Sequence, residues 1–143
     1  MDAELDIENA AGPNSRSSLF TSRSVEGFTP QCGRGLSNRY LGLCLRAAEG
    51  ATPVWQTVDF LETGNNATSV PYGHFTGQYF QTGAGQLPGR PPRYIIEIMP
   101  FNAEGAGATG EDITYFYRIT SIGFGMRDST QVVLQTFYRK GSD

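Results

Sequence analysis

Three stretches in the C-terminal half carry β-branched and aromatic residues in close succession: RYIIEIMPF (Arg93 to Phe101), ITYFYRITSIGF (Ile113 to Phe124) and TQVVLQTFYRK (Thr130 to Lys140). Runs of this composition, bounded by Gly, Pro, Asn and Asp, predict strands. In the second run the two-residue period puts Ile113, Tyr115, Tyr117 and Ile119 on one face, and Thr114, Phe116, Arg118 and Thr120 on the other. The first is a good core face; the second is expected to be partly wet. The third run sets Val132, Leu134 and Tyr138 against Val133, Gln135, Phe137 and Arg139. GFGMRDST, from Gly123 to Thr130, supplies turn chemistry between the last two runs, so the three predict an antiparallel meander.

The N-terminal half is patterned differently. Asp2 to Asn9 holds good helix formers with Leu5 and Ile7, and Gly12-Pro13 stops them. A helix this short is marginal in water, so it either docks on the body or is the stump of a longer N-terminal helix. Asn14 to Asn38 is rich in Ser, Arg, Thr and Gly and reads as an ordered loop pinned by Leu19, Phe20, Val25, Phe28 and Cys32. PVWQTVDFL (Pro53 to Leu61) alternates weakly and contains the only tryptophan, Trp55, which its Val and Phe neighbours place in the core. Glu62 to Arg93 is a long connection, of the kind that is usually functional or mobile. The expected division is 1–12 for the end of a helix and 13–143 for one globular domain, whose meander occupies 93–140.

Composition narrows the class. A chain of 143 residues suits one domain and buries roughly two thirds of its unfolded surface. With 38% apolar and 17% charged residues and 18 glycines, it reads as a loop-rich β protein and not a helical bundle. The net charge of −3, with no cluster of Lys or Arg interleaved with aromatics, argues against nucleic acid as a partner. The longest apolar runs, such as YII and VVL, are far too short to span a bilayer or form a signal core.

Cys32 and Cys44 lie twelve positions apart in a segment full of Gly, Asn and Arg. If bridged, they close a loop whose constraint on the unfolded chain stabilises by about 3 kcal/mol, which implies an oxidising compartment. The alternative is two unrelated thiols. A lone Cys pair with no His nearby does not fill a tetrahedral metal site. An exported protein needs a leader, yet Met1 runs straight into DAELDIENAAG, so a membrane segment is expected to have been removed ahead of residue 1.

Candidate chemistry is sparse. EGAGATGED contains G-x-G-x-x-G at Gly105, Gly107 and Gly110, with Asp128 eighteen residues on. A dinucleotide turn needs a helix after its glycines, and here a β-patterned run follows; Glu104, Glu111 and Asp112 would also repel a pyrophosphate. The glycines therefore read as a hairpin connection, and no cofactor is expected. His74, in PYGHFTG, is the only histidine and reads as a surface-loop residue, because no nucleophile elbow or HExxH accompanies it. The acids of the loop lack the alternating oxygen ligands of an EF-hand, so no metal is expected. Asn66-Ala67-Thr68 matches the N-glycosylation triplet, which matters only in a eukaryotic secretory setting. No catalytic residue and no small-molecule substrate emerge.

PRYIIE (Pro92 to Glu97), YRIT (Tyr117 to Thr120), the turn Gly123 to Gly125 and VVLQTFY (Val132 to Tyr138) together resemble the C-terminal signature of the PilX-type minor pilins of type IV pili. GLC (Gly42 to Cys44), PVW (Pro53 to Trp55) and DAELDIE are similar to further parts of that family. The resemblance covers roughly half of the chain. It implies an α+β, pilin-like fold, with a truncated N-terminal helix packed on a small antiparallel sheet with long loops. It also implies a structural role in priming pilus assembly. The partners would be other minor pilins, a PilY-type tip protein and the major pilin of the fibre, with the inner membrane reached through the missing helix. The setting would be a Gram-negative envelope, with a periplasmic ectodomain that ends at the extracellular pilus tip. SIGFGM departs from the family's glycine-rich turn, and its Phe124 and Met126 are either partner contacts or packing. A second reading is an adhesion module that binds a surface or host ligand through aromatic loops around Tyr72, Phe75, Tyr79 and Phe80.

Overall fold

The structure is a computed structural model that describes residues 2–8, 16, 19–20, 25, 27–47, 50–62, 64–76, 91–101, 114–125 and 131–139. Helix α1 (Asp2–Glu8) is followed by strand β1 (Leu43–Leu45), the one-turn helix α2 (Val54–Thr57), a 3-10 turn at Gly64–Asn66 and the two-residue strand β2 (Val70–Pro71). The long strands β3 (Arg93–Phe101), β4 (Thr114–Phe124) and β5 (Gln131–Tyr138) complete it. The three expected strands are present to within a residue or two of their ends. The expected ends at Ile113, Thr130 and Lys140 fall outside the described residues, as do the glycines of the G-x-G-x-x-G stretch, Asp128 and Met126.

β3, β4 and β5 form the expected antiparallel meander, with Ile96 opposite Ile119 and Ile119 opposite Thr136. The sheet is nevertheless mixed. β1 lies parallel to β3, with Leu43 opposite Ile96, and β2 adds antiparallel beside β1's side of β3 at Tyr94 and Arg93. The connection from β1 to the parallel β3 carries α2, the 3-10 turn and β2, while the loop ahead of β1 bridges in parallel at Thr29 to Cys44 and at Gly33 to Leu41. This is an α+β fold with helix α1 on a small sheet, consistent with a pilin-like architecture.

Both faces of the sheet are packed at its centre, on β3 and β4. On one, Ala3 and Ile7 of α1 meet Tyr94, Ile96, Ile98, Tyr117 and Ile119, and Phe20 and Phe28 of the long loop close the side. Phe20 stands edge-on to Tyr117 at 5.4 Å, and Phe28 stacks on the same ring at 6.1 Å. On the other, Ile95, Ile122 and Phe124 pack with Val54, Phe60 and the two cysteines. The β4 face expected to be partly wet is therefore covered at Thr120, Ile122 and Phe124, because α2 and the disulfide loop lie over it. A central strand buried on both faces needs apolar residues at successive positions, which accounts for the unbroken YII of β3. Trp55, expected in the core, is only partly buried at the margin of this second cluster. The weakly alternating stretch folds as a helical turn, and one step along a helix turns the side chain by about 100°, so Val54 points in and Trp55 does not.

Candidate interaction surface

Helix α1 is held by a buried charge as well as by apolar contact. The Arg16 guanidinium donates to both oxygens of Asp6, through Nε at 3.0 Å and Nη2 at 2.6 Å, and its Nη1 donates to the carbonyls of Leu41 at 2.7 Å and Arg39 at 3.1 Å. Tyr94 of β3 donates its hydroxyl to Asp6 at 2.8 Å. The guanidinium also lies 3.7 Å from the centre of the Phe75 ring, a cation–π contact in a desolvated setting. Both partners of the ion pair have fully buried side chains. Burying charge is costly unless every polar atom is paired, and this arrangement pairs them. Helix, loop, β1's approach and β3 thus meet at one residue.

The opposite face carries a second pair. Glu97, buried in the middle of β3, accepts from Arg118 directly across on β4 at 2.8 Å and 3.2 Å. Arg93, also buried, donates to the Ser69 hydroxyl at 2.7 Å and to the carbonyls of Ser69 and Glu62, tying the connection that precedes β2 to the sheet. At the far end of α1, Tyr138 of β5 donates to the Glu8 carboxylate at 2.6 Å. That bond to a negative acceptor, with burial and the charges of Glu8 and Glu4 adding to it, pushes the Tyr138 phenol up to about 12.

Cys32 and Cys44 are joined in a disulfide. It closes a turn in which Gln31 and Cys32 both take positive φ, 62° and 72°, a conformation that costs non-glycine residues roughly 1–2 kcal/mol each. The turn is secured by the Cys32 N–H on Thr29 at 3.1 Å and the Gly33 N–H on Leu43 at 3.1 Å. The GLC stretch has its own requirement. Gly42 has φ 73°, and a Cβ there would stand 2.6 Å from Val70 Cγ2.

His74 is half-buried instead of lying on the surface, with Nε2 2.7 Å from the Leu36 carbonyl and its ring edge-on to Phe75 at 4.7 Å. A ring nitrogen that meets a carbonyl oxygen carries the proton, so Nε2–H donates and the imidazole packs the loop. Among the described residues no group of three or more His, Cys, Asp or Glu is placed to hold a metal ion, and no helix is long and apolar enough to cross a membrane.

The residues expected to touch partners are dispersed. Phe124 is buried in the second core cluster, and Phe75 is buried beneath Arg16. Packing takes up both rings, so neither offers a free surface. Tyr72 is half-buried and borders an apolar groove of about 220 Å³ beside the start of α1, together with Ala3, Pro92, Tyr94, Val132 and Leu134. The exposed apolar surface continues from this groove along β5, where Val132, Val133, Leu134 and Phe137 are 47% to 67% exposed. The alternation of the run reported its two faces but not that β5 stands at the edge of the sheet, which depends on strand order. The Asp6–Arg16 pair left a weaker trace: an acid in a helix that must bury one face. Glu97 left a stronger one, because an acid inside YIIEI calls for a partner.

Residues 40–140, more than half of the chain, match the family model described as the type IV pilus assembly protein PilX C-terminal region. No curated protein and no solved structure matches the chain. The chain belongs to the PilX family and is a type IV pilus-associated minor pilin, a structural component that works through contacts with other pilus components. Its place is accordingly the Gram-negative envelope and the pilus.

Proposed function

We propose that this chain is the ectodomain of a minor pilin that primes type IV pilus assembly and ends at or near the fibre tip. Other minor pilins and a PilY-type tip protein are its partners, and the inner membrane is where it meets them before the fibre grows. The observation that carries this reading is the family match, which spans residues 40–140, from the end of the disulfide loop through β5. Helix α1 supports it: it is fastened to the sheet by a buried ion pair and by the Tyr94 hydroxyl on Asp6. The surface supports it too, since among the described residues β5 presents a run of exposed apolar side chains of the kind that contacts between subunits cover.

Deletion of the gene, scored for surface pili by electron microscopy and by sheared-pilin yield, tests the priming role. Loss of pili, restored by a plasmid copy, is the expected result; wild-type piliation in the deletion strain overturns the proposal. The adhesion reading gains no observation here, because Phe75 faces the core and Tyr79 and Phe80 lie outside the described residues.

A further inference from the structure

The two edges of the sheet are built differently. At one, β1 is only three residues long and is flanked by a loop that bridges to it at Thr29, so that edge is short and covered. At the other, β5 is eight residues long, pairs with β4 along its whole length on one side, and among the described residues has no strand on its outer side. Its sequence QVVLQTFY contains none of the devices that blunt an edge: no charge, no proline and no glycine of a bulge. Its exposed apolar side chains lie on both faces. By the register, Val132 and Leu134 share the α1 side with Gly123 and Ser121, while Val133 and Phe137 share the opposite side with Ile122 and Arg118. Each side also has a hollow beside the strand. One is the groove at Ala3, Tyr94 and Leu134; the other, of about 240 Å³, is lined by Phe116, Phe137, Tyr138 and Arg139, with the two phenylalanine rings 5.8 Å apart.

We propose that β5 is a strand acceptor: an extended, uncharged segment of another pilus subunit, apolar on both faces, adds to its outer edge and continues the sheet. This rests on the pilus-assembly reading above and names the site through which that role is exercised. A strand is the partner that satisfies both features at once, because its backbone meets the row of edge N–H and C=O groups while its side chains cover Val132 and Leu134 on one face and Val133 and Phe137 on the other. A helix laid on the sheet covers one face and leaves the edge unpaired. A second copy of this chain fits less well. Pairing β5 with itself about a two-fold axis, with like faces kept together, sets Val133 against Phe137 around Gln135. That contact rests on four partly exposed side chains per copy, well short of the ~800 Å² per partner that a stable complex buries. A different subunit brings the additional surface.

Two double substitutions test this, V132K/L134K and V133K/F137K, both on exposed side chains so that folding is retained. Binding of the wild-type and variant proteins to ectodomains of sibling minor pilins and to the PilY-type tip protein from the same bacterium, supplied one at a time, is measured by biolayer interferometry. Hydrogen exchange follows the amides of 131–138. The expected result is at least tenfold weaker binding for both variants, unchanged melting, and protection of the outward-pointing β5 amides, those not bonded to β4, only when the partner is added. Failure of all of these proteins to bind, or binding that both variants retain with β5 amides still exchanging, overturns it. Binding lost in V132K/L134K alone, with the edge amides unprotected, overturns it in favour of a helix on the α1 side. A wild-type dimer in light scattering that both variants abolish assigns the edge to a second copy instead. In the deletion strain, variant alleles that restore pili to wild-type levels sink the strand acceptor alone, whereas piliation that never needed the gene sinks the functional reading.

Discussion

Asp6 and Arg16 show how a single pair decides a local structure. Removing one partner leaves the other buried and uncompensated, so Asp6→Asn or Arg16→Leu is expected to cost about 3–5 kcal/mol. Changing both to apolar residues of similar size costs less than the two single losses added together. Urea denaturation of the three variants measures this, and additive losses would show that the pair is not coupled. Gly42 is a second residue-scale case. Gly42→Ala combines the penalty of a positive φ with a Cβ driven into Val70, together about 2–4 kcal/mol. Gly50→Ala, with similar φ but open space around it, is expected to cost about 1–2 kcal/mol from the backbone alone. Equal losses at the two positions would remove the steric part of the argument. Tyr138 links this scale to pH. Its phenol is raised above the unfolded value of 10, so its contribution is complete below pH 10 and is lost as pH rises through about 12. NMR titration of the tyrosine ring carbons should show one ring ionising near 12, and Glu8→Gln should bring it down toward 10.

Among the elements, the disulfide turn and β1 act together, because Cys44 lies in the strand and Cys32 in the turn that bridges to it. Replacing both cysteines by serine is expected to cost about 3 kcal/mol. The loss should be local at first, with faster hydrogen exchange in residues 29–45 and little change in 114–124; a mass that does not change on reduction would remove the bridge itself. Legibility varied with the same physics. β3, β4 and β5 were readable because period-2 patterning with β-branched and aromatic residues is a local property, and the turn chemistry between the last two strands is local as well. α2 was not readable: four residues from Val54 to Thr57 are too few to show a helical period, and their folding depends on packing against Phe60 and Ile122. β1 was not readable either. Three residues carry no pattern, and its parallel pairing with β3 joins positions more than fifty residues apart.

For the whole molecule, the ion pair makes α1 part of the same unit as the sheet, since Asp6 serves Arg16 and Tyr94 together. Truncation of residues 1–8 is therefore expected to destabilise by more than the helix's own apolar contacts, because it strands a buried guanidinium. In the intact chain, far-ultraviolet circular dichroism and Trp55 fluorescence should report one coincident unfolding transition. Separate transitions, or a truncated chain as stable as the intact one, would show that helix and sheet are independent.

The amino-acid pattern by itself determined the strands of the meander, the cysteine pair, the short N-terminal helix and, through PRYIIE, YRIT and VVLQTFY, the family. Those properties are set within a few residues of one another or by a covalent bond, so they survive in a one-dimensional text. Tertiary structure alone decided that the centre of the sheet is buried on both faces, that Phe75 and Phe124 are core and that Arg16 clasps Asp6. It also decided that β5 is the strand left open at the edge. Burial, charge pairing and strand order depend on which distant segments meet, and no local pattern encodes the meeting.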